Sequence, residues 1–173
     1  MTLYPTMGEN IGSTWQKVTF TKSKLVLTEG DDEERFFPRL LIRLGLTNLE
    51  TSIKFMSYDG KSNLEPCLKT ISKSSTFTQN VNSVGIVIDA DGIDQGKGFA
   101  SAFQKAQNAL RIIGFPVPSE PVTPVELNGI QAAIWVMPDN KSPGEFENLC
   151  LEAFLNHPIK PCIDNIQECV KKT

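Results

Sequence analysis

Short continuous runs of apolar residues alternate with helical stripes along most of the chain. The runs within 24–30, 83–89 and 132–137 are rich in branched apolar residues, which is typical of strands buried on both faces of a sheet. Residues 52–58 alternate between apolar and polar side chains and predict one more strand. Intervening segments carry apolar residues at the 3.6-residue period of an amphipathic helix, most clearly in 99–113. The pattern therefore predicts an α/β fold.

The order of these elements predicts how the sheet is connected. Three strand-helix units come first, then a hairpin that leads into the last strand, then two helices. Strands that alternate with helices form parallel sheets, so we expect a Rossmann-like, mostly parallel sheet of about four strands flanked by helices. Asn128-Gly129 predicts the turn of an added hairpin within 122–137. The polar segment 72–80 is predicted to be a loop.

The length and composition are typical of one globular domain. The 173 residues are enough for a single core, and 40% apolar and 21% charged residues are normal values. Residues 1–20 predict an N-terminal arm, and 21–173 predict one α/β domain. The sequence has no apolar run of the roughly 18–20 residues that a membrane span needs, and it begins without a signal-peptide pattern. We therefore expect a cytoplasmic protein without membrane contact, and no feature predicts its oligomeric state.

The net charge, the cysteine spacing and the single histidine limit the kinds of binding and catalytic site that we expect. A net charge of −3 argues against tight nonspecific binding of nucleic acid by the whole surface, although it permits a local contact. The four cysteines have no C-x-x-C spacing and are predicted to be free, buried thiols. His157 is the single histidine, which argues against a histidine-rich metal site or a histidine-based nucleophilic relay.

Acidic residues lie at the ends of three predicted strands. Asp89 and Asp91 follow the central apolar run, Glu29 closes the first strand and Asp139 follows the last. The carboxyl ends of parallel strands share one edge of the sheet, where open α/β folds place their sites. Strand alternation would point Asp89 and Asp91 to the same side, and their repulsion would favour a hard cation such as Mg²⁺ between them. The alternative is an ordinary Asp-Gly turn in which Asp91 caps a helix.

The turn after the second strand, Asp59-Gly60-Lys61, is a second candidate feature. Gly60 permits a sharp turn, and a helix is predicted to start just after it. Backbone N–H groups at a helix start, together with the charge of Lys61, suit a phosphate. The upstream glycine and the loop spacing of a Walker motif are missing. A plain strand-to-helix turn remains the alternative.

Taken together, these motifs resemble a Toprim domain, the metal-binding module of topoisomerases, primases and OLD-type nucleases. The Glu29-Gly30 turn after the first strand and Asp89-Ala90-Asp91 after the third match the pattern of that family. The wider runs L-T-E-G-D-D-E-E-R-F-F, D-G-K-S-N-L, V-I-D-A-D-G, I-W-V-M-P-D-N and G-E-F-E-N-L are similar to small Toprim-like proteins related to the OLD-type nucleases. The resemblance covers about residues 22–155.

This resemblance implies phosphodiester chemistry that depends on Mg²⁺ or Mn²⁺. Asp89 and Asp91 would hold the metal, and Glu29 would be a ligand or a general acid or base. Glu33 occupies the position, four residues after Glu29, where OLD-type enzymes carry another acidic ligand. Glu147 matches their acidic residue in the helix after the last strand. Two groups of carboxylates of this kind would support two metals.

Two lysines are candidate phosphate contacts, and the sequence departs from the family in two respects. Lys61 is predicted to join Glu29, Asp89 and Asp91 as a catalytic residue through a phosphate contact, and Lys97 is a second candidate for that contact. The sequence has neither an ATPase module, which accompanies the domain in OLD proteins, nor a tyrosine in the context of a topoisomerase nucleophile.

Two functional hypotheses from different classes remain open. The first is a metal-dependent nuclease or other phosphotransferase whose substrate is nucleic acid or a nucleotide. The second is a non-catalytic Toprim-like module that binds or regulates with a partner protein, which fits the acidic composition and the lack of a basic tract. Other phosphate chemistry on the same carboxylates is a third, weaker hypothesis. Metal affinity that depends on Asp89 and Glu29 separates the first hypothesis from the second.

Overall fold

A computed structural model describes residues 15–46, 49–92 and 98–171 of the chain. Its described strands form one five-stranded sheet in the order β2-β1-β3-β5-β4. The strands are β1 (Lys24–Thr28), β2 (Ile53–Ser57), β3 (Ser83–Asp89), β4 (Val125–Leu127) and β5 (Ile130–Met137). Neighbours are parallel except β4, which pairs antiparallel with β5. The fold is thus α/β with a mostly parallel sheet, as predicted.

Helices cover both faces of this sheet, which explains why β3 and β5 at its centre are largely apolar. Leu27, Ile86 and Ile134 point to one face, where they join the main core. Val87 and Met137 point to the other face and form a smaller core with Phe37. The helices are α1 (Asp31–Arg43), α2 (Leu49–Ser52), α3 (Leu64–Ile71), α4 (Ser75–Asn80), α5 (Phe99–Ile112), α6 (Phe146–Glu152) and α7 (Lys160–Lys171), with a 3₁₀ turn at Lys61–Asn63.

The predicted hairpin is confirmed, because β4 and β5 are joined by Asn128 and Gly129, both with positive φ. The predicted loop 72–80 is wrong in part, since Ser75–Asn80 forms α4. Phe77 explains the difference: it is buried and packs edge-on against Phe20 with ring centroids 5.2 Å apart. A polar sequence can form a helical turn when one aromatic side chain anchors it in the core.

Part of the predicted N-terminal arm belongs to the core, and the described cysteines differ in burial. Trp15 and Phe20, within the predicted N-terminal arm, are buried in the main core, and residues 1–14 lie outside the described part. Cys67 is a free, buried thiol as predicted, whereas Cys162 is exposed on α7. Within the described ranges, no helix combines the length and apolar character needed to cross a bilayer.

Strands β1 and β3 separate toward their carboxyl ends, and side chains fill the opening. The last residue pair between them is Leu27 with Ile86. Beyond it, the Tyr58 hydroxyl donates a hydrogen bond to the Val87 carbonyl at 3.0 Å. The Glu29 carboxylate accepts a hydrogen bond from the Asp89 N–H at 3.4 Å. Side chains from two loops therefore complete the hydrogen bonding of β3 where its strand partner ends.

We predict that Tyr58→Phe destabilises the protein without changing its fold. The substitution leaves the buried Val87 carbonyl without its donor, which costs about 1–3 kcal/mol. Chemical denaturation of the wild type and of Tyr58→Phe at neutral pH measures the change. A variant as stable as the wild type would show that the Tyr58 hydroxyl does not support β3.

Candidate functional site

The carboxyl edge of β1 and β3 brings two of the predicted carboxylates together. Glu29 follows β1 and Asp89 is the last residue of β3, which is the neighbouring strand. The Glu29 Oε2 atom lies 3.4 Å from the Asp89 backbone nitrogen. Burial is the largest influence on Glu29 and raises the pKa of its carboxyl group. Parallel strand ends therefore place these two residues side by side, as their positions in the sequence predicted.

Asp89 is the most perturbed carboxyl group of the site. Burial, followed by the negative charges of Glu29 and Glu33, raises its pKa from 3.8 to about 7. Its Oδ1 atom accepts a hydrogen bond from the Phe146 N–H at 3.1 Å, so the first residue of α6 holds the carboxylate in place. Strongly perturbed acids at a sheet edge are candidates for function, since structure alone gains nothing from repulsion.

Asp91 lies beyond the strand, in a backbone conformation that differs from the predicted alternation. Its φ is 61°, in the left-handed region that aspartate tolerates better than most residues. Two backbone hydrogen bonds with Gly144, each 3.0 Å long, tie Asp91 to the loop before α6. Asp91 raises the pKa of Glu29 through its charge, so it remains part of the same electrostatic cluster.

Lys61 supplies the positive charge of the cluster. Its ammonium group forms an ion pair with the Asp91 carboxylate, and both side chains are largely shielded from solvent. The contact is an ion pair without good hydrogen-bond alignment, since within the described residues Lys61 Nζ is buried and has no hydrogen-bond partner. The charge of Lys61 lowers the pKa of Glu29 and Asp89, against the stronger effect of burial.

The loop that carries Lys61 is built to reach this position. Asp59 and Gly60 both have positive φ, at 58° and 92°, and reverse the chain after β2. The Gly60 N–H donates to the Glu29 carbonyl at 3.0 Å, which joins this loop to the end of β1. The turn that was predicted as a candidate phosphate contact thus places its lysine beside the Asp91 carboxylate.

Glu33 and Glu147 lie next to this cluster. Glu33 is buried, and its Oε2 atom accepts a hydrogen bond from the Gly30 N–H at 3.1 Å, so it caps the start of α1. A Cβ atom at residue 30 would lie only 2.9 Å from that oxygen, so a larger residue there would have to displace the Glu33 carboxylate. Glu147, in the first turn of α6, is exposed, and its charge raises the pKa of both Glu33 and Asp89.

One other acidic candidate does not join the cluster, and a second candidate lysine lies outside the described residues. Asp139, at the end of the last strand, accepts hydrogen bonds from the Lys141 and Ser142 N–H groups at 3.0 and 2.7 Å. The bonds to Ser142 stabilise the turn and lower the pKa of the exposed Asp139 carboxyl group. Lys97, the second candidate phosphate contact, lies outside the described residues.

The donor set of the cluster suits a hard divalent cation in its chemistry. Glu29, Asp89 and Asp91 offer carboxylate oxygens, which Mg²⁺ and Mn²⁺ prefer. Burial and the neighbouring charges of Glu29 and Glu33 raise the pKa of Asp89 and so disfavour its ionised form, and a bound cation would offset both effects. As they stand, however, no three acidic, histidine or cysteine side chains of the described residues are grouped to hold an ion. Metal binding would therefore require Asp91 to exchange Lys61 for the cation.

Three parts of the site escaped sequence-based prediction. The Tyr58 hydroxyl and the Phe146 N–H act through contacts between residues far apart in the chain. Lys105 lies beside the cluster on α5, where it lines a cavity together with Lys61 and Asp91. The sequence did contain a signal for Lys105: Ser101 lies four residues earlier, so both residues lie on the polar face of α5.

We predict that metal-free protein loses stability as pH rises from about 5 to 8 and that Asp89→Asn reduces this loss. With a folded-state pKa of about 7 against 3.8 unfolded, Asp89 keeps a proton in the fold that the unfolded chain has released. That stabilisation is fully present below the unfolded pKa and disappears as pH passes the folded pKa.

Denaturation in the presence of a chelator across this pH range measures the slope. Asp139→Asn is the matched control, because Asp139 is exposed and its pKa is lowered rather than raised. We expect Asp89→Asn to raise Tm by a few degrees at pH 8 and the control to keep the wild-type slope. Equal slopes in all three proteins would contradict the assigned perturbation of Asp89.

Comparison with known proteins identifies a family but no activity. A family model described as "Protein of unknown function (DUF3226)" matches residues 23–173. Searches of curated proteins and of solved structures found no significant match. The matched segment starts just before β1 and includes Glu29, Lys61, Asp89 and Asp91, so the whole cluster lies within it. The chain therefore belongs to the DUF3226 family.

Proposed function

We propose that this protein carries out metal-dependent phosphodiester chemistry on nucleic acid, as a nuclease does. One observation carries the proposal: Glu29 and Asp89 converge, partly buried, at the carboxyl edge of a parallel sheet, with the Asp91–Lys61 ion pair beside them. Such edges are where open α/β folds bind ligands. Uncompensated acids there reduce stability, which is the usual mark of a site kept for function.

The roles of the residues follow from their placement. Glu29, Asp89 and Asp91 would hold Mg²⁺ or Mn²⁺, with Glu33 and Glu147 next to them as the second group of carboxylates. The bound ion would supply Lewis-acid stabilisation of the phosphate charge and a more acidic water. Glu29, whose pKa burial raises, would hold a proton more readily than an ordinary glutamate and is suited to act as a general acid or base. Lys61, released from Asp91, would bind a phosphate oxygen.

The proposed relationship to Toprim domains supports the same chemistry. Its support is that the Glu-Gly turn follows β1 and that the Asp-x-Asp motif begins at the last residue of β3. Phosphoryl transfer by such sites depends mainly on charge stabilisation and positioning, which a cluster of carboxylates with one lysine can provide. We therefore extend the resemblance from fold to function as part of the proposal.

The second candidate is a binding module that acts with a partner protein. Lys61 already neutralises Asp91 internally, so the cluster persists without an added cation. Several large apolar side chains in the C-terminal region are exposed, which suits a protein contact: Phe154, Leu155, Ile159 and Ile166. In this hypothesis the carboxylates would serve the architecture of the sheet edge rather than catalysis.

Metal binding that depends on Asp89 is the prediction that tests the proposed function. Calorimetric titration of wild type with Mn²⁺ and Mg²⁺ should show binding, and Asp89→Asn should weaken it by at least tenfold, about 1.4 kcal/mol. Asp139→Asn is the matched control, because it removes a carboxylate from a neighbouring strand end without touching the cluster. It should bind metal as the wild type does.

A plasmid-nicking assay with the same three proteins tests the chemistry. Metal-dependent nicking by wild type and the control, but not by Asp89→Asn, is the expected result. Binding without nicking would favour a different phosphate substrate. Absence of metal binding by wild type at millimolar concentration would refute the proposed activity and leave the binding module as the better hypothesis.

A further inference from the structure

A groove with a mixed polar and apolar lining leads away from the carboxylate cluster between α3 and α5. It consists of two adjoining cavities of about 330 and about 520 Å³, which share Ser62, Ser101 and Lys105. The smaller one is also lined by Lys61 and Asp91, so the groove starts at the ion pair of the candidate site. The larger one continues along the two helices.

The groove extends over a distance that suits an extended chain rather than a single small group. Its α5 wall runs from Ser101 to Asn108, which is about 10 Å at 1.5 Å per helical residue. Glu65 and Pro66 of α3 line the opposite wall. A ligand in the groove would therefore lie along the helices with one end at Lys61.

The lining has the chemistry of a phosphate-backbone contact. Hydroxyl and amide groups of Ser62, Ser101, Gln104 and Asn108 line it, together with the ammonium group of Lys105. Glu65 is its acidic member along the helices, and that carboxylate is already paired with Lys69 at 2.5 Å. No aromatic side chain is among the described residues that line either cavity. Such a surface can bind phosphate and sugar oxygens, but it offers no platform for stacking bases.

We propose that this groove binds the sugar-phosphate backbone of a single nucleic-acid strand, with Lys105 as its phosphate-binding residue. The inference rests on the proposed function, since the groove would guide the strand whose phosphate reaches the carboxylate cluster. Lys105 and Lys61 lie at the same cavity, so one phosphate at each would place consecutive parts of the strand along the edge. Because the contacts are to the backbone, binding is independent of base sequence.

The polar face of α5 explains why Lys105 is the residue to test. Its apolar residues, including Ala102 and Ala106, are buried against the main core. Ser101 and Lys105 are exposed and lie one turn apart, so both side chains project into the groove without a structural task in the core. Replacement of Lys105 should therefore leave folding intact.

Fluorescence anisotropy with a labelled short oligothymidine, in the presence of a chelator, measures strand binding without cleavage. Lys105→Ala should weaken binding by about fivefold to tenfold and reduce the slope of log affinity against log salt by about one. Lys73→Ala is the matched control, because Lys73 is exposed in the turn after α3 and lies outside both cavities. It should bind as the wild type does.

Three results would overturn the inference. They are wild-type protein that does not bind the oligothymidine, Lys105→Ala that binds as well as wild type, and Lys73→Ala that loses as much affinity as Lys105→Ala. A duplex of the same length that binds equally well, with the same dependence on Lys105, would overturn the single-strand assignment.

Metal titration separates this inference from the proposed function. Lys105→Ala should bind Mn²⁺ as wild type does, because Lys105 is not a carboxylate ligand. Lys105-dependent strand binding in a protein that binds no metal would support the groove and refute the catalytic proposal. Metal binding that depends on Asp89, together with strand binding that does not depend on Lys105, would support the catalytic proposal and refute the role of the groove.

Discussion

The structure of the candidate site depends on one electrostatic constraint, the crowding of carboxylates where β1 and β3 separate. Glu29 accepts the Asp89 N–H in place of a strand partner, and Asp89 accepts the Phe146 N–H. Those bonds draw two acids into a partly buried edge, where burial, followed by the charges of Glu29 and Glu33, raises the pKa of Asp89 to about 7. Lys61 is the counter-ion that makes this arrangement tolerable, through its pair with Asp91.

The surrounding architecture fixes these groups in position. Helices on both faces bury the strands, so the strand ends hardly move relative to one another. Tyr58 holds β3 through the Val87 carbonyl, and Gly144 holds Asp91 through paired backbone hydrogen bonds. A site that selects a cation or a phosphate by geometry needs such rigid supports. The acidic edge and the groove that starts at Lys61 lie next to each other, because Lys61 and Asp91 line the groove as well.

The fold and the nearness of Glu29 to Asp89 could be predicted because both follow from strand pattern. Continuous apolar runs predict buried parallel strands, and parallel strands bring their carboxyl ends to one edge. The Asp91–Lys61 pair could not be predicted in this way, since it depends on left-handed backbone at Asp59 and Asp91. Asp139 shows that a position at a strand end does not by itself predict membership of the cluster. Its hydrogen bonds remain within its own turn. Lys105 is near the cluster only because α5 packs across β3 and β5.

A crystal structure of the protein soaked with Mn²⁺, with anomalous scattering data, tests the central claim most directly. We expect an anomalous peak within about 2.0–2.4 Å of oxygen atoms of Glu29, Asp89 and Asp91, with Lys61 displaced from Asp91. An empty cluster at millimolar Mn²⁺, in which Lys61 still pairs with Asp91, would contradict it. The acidic edge would then be an internally neutralised part of the fold and not a metal site.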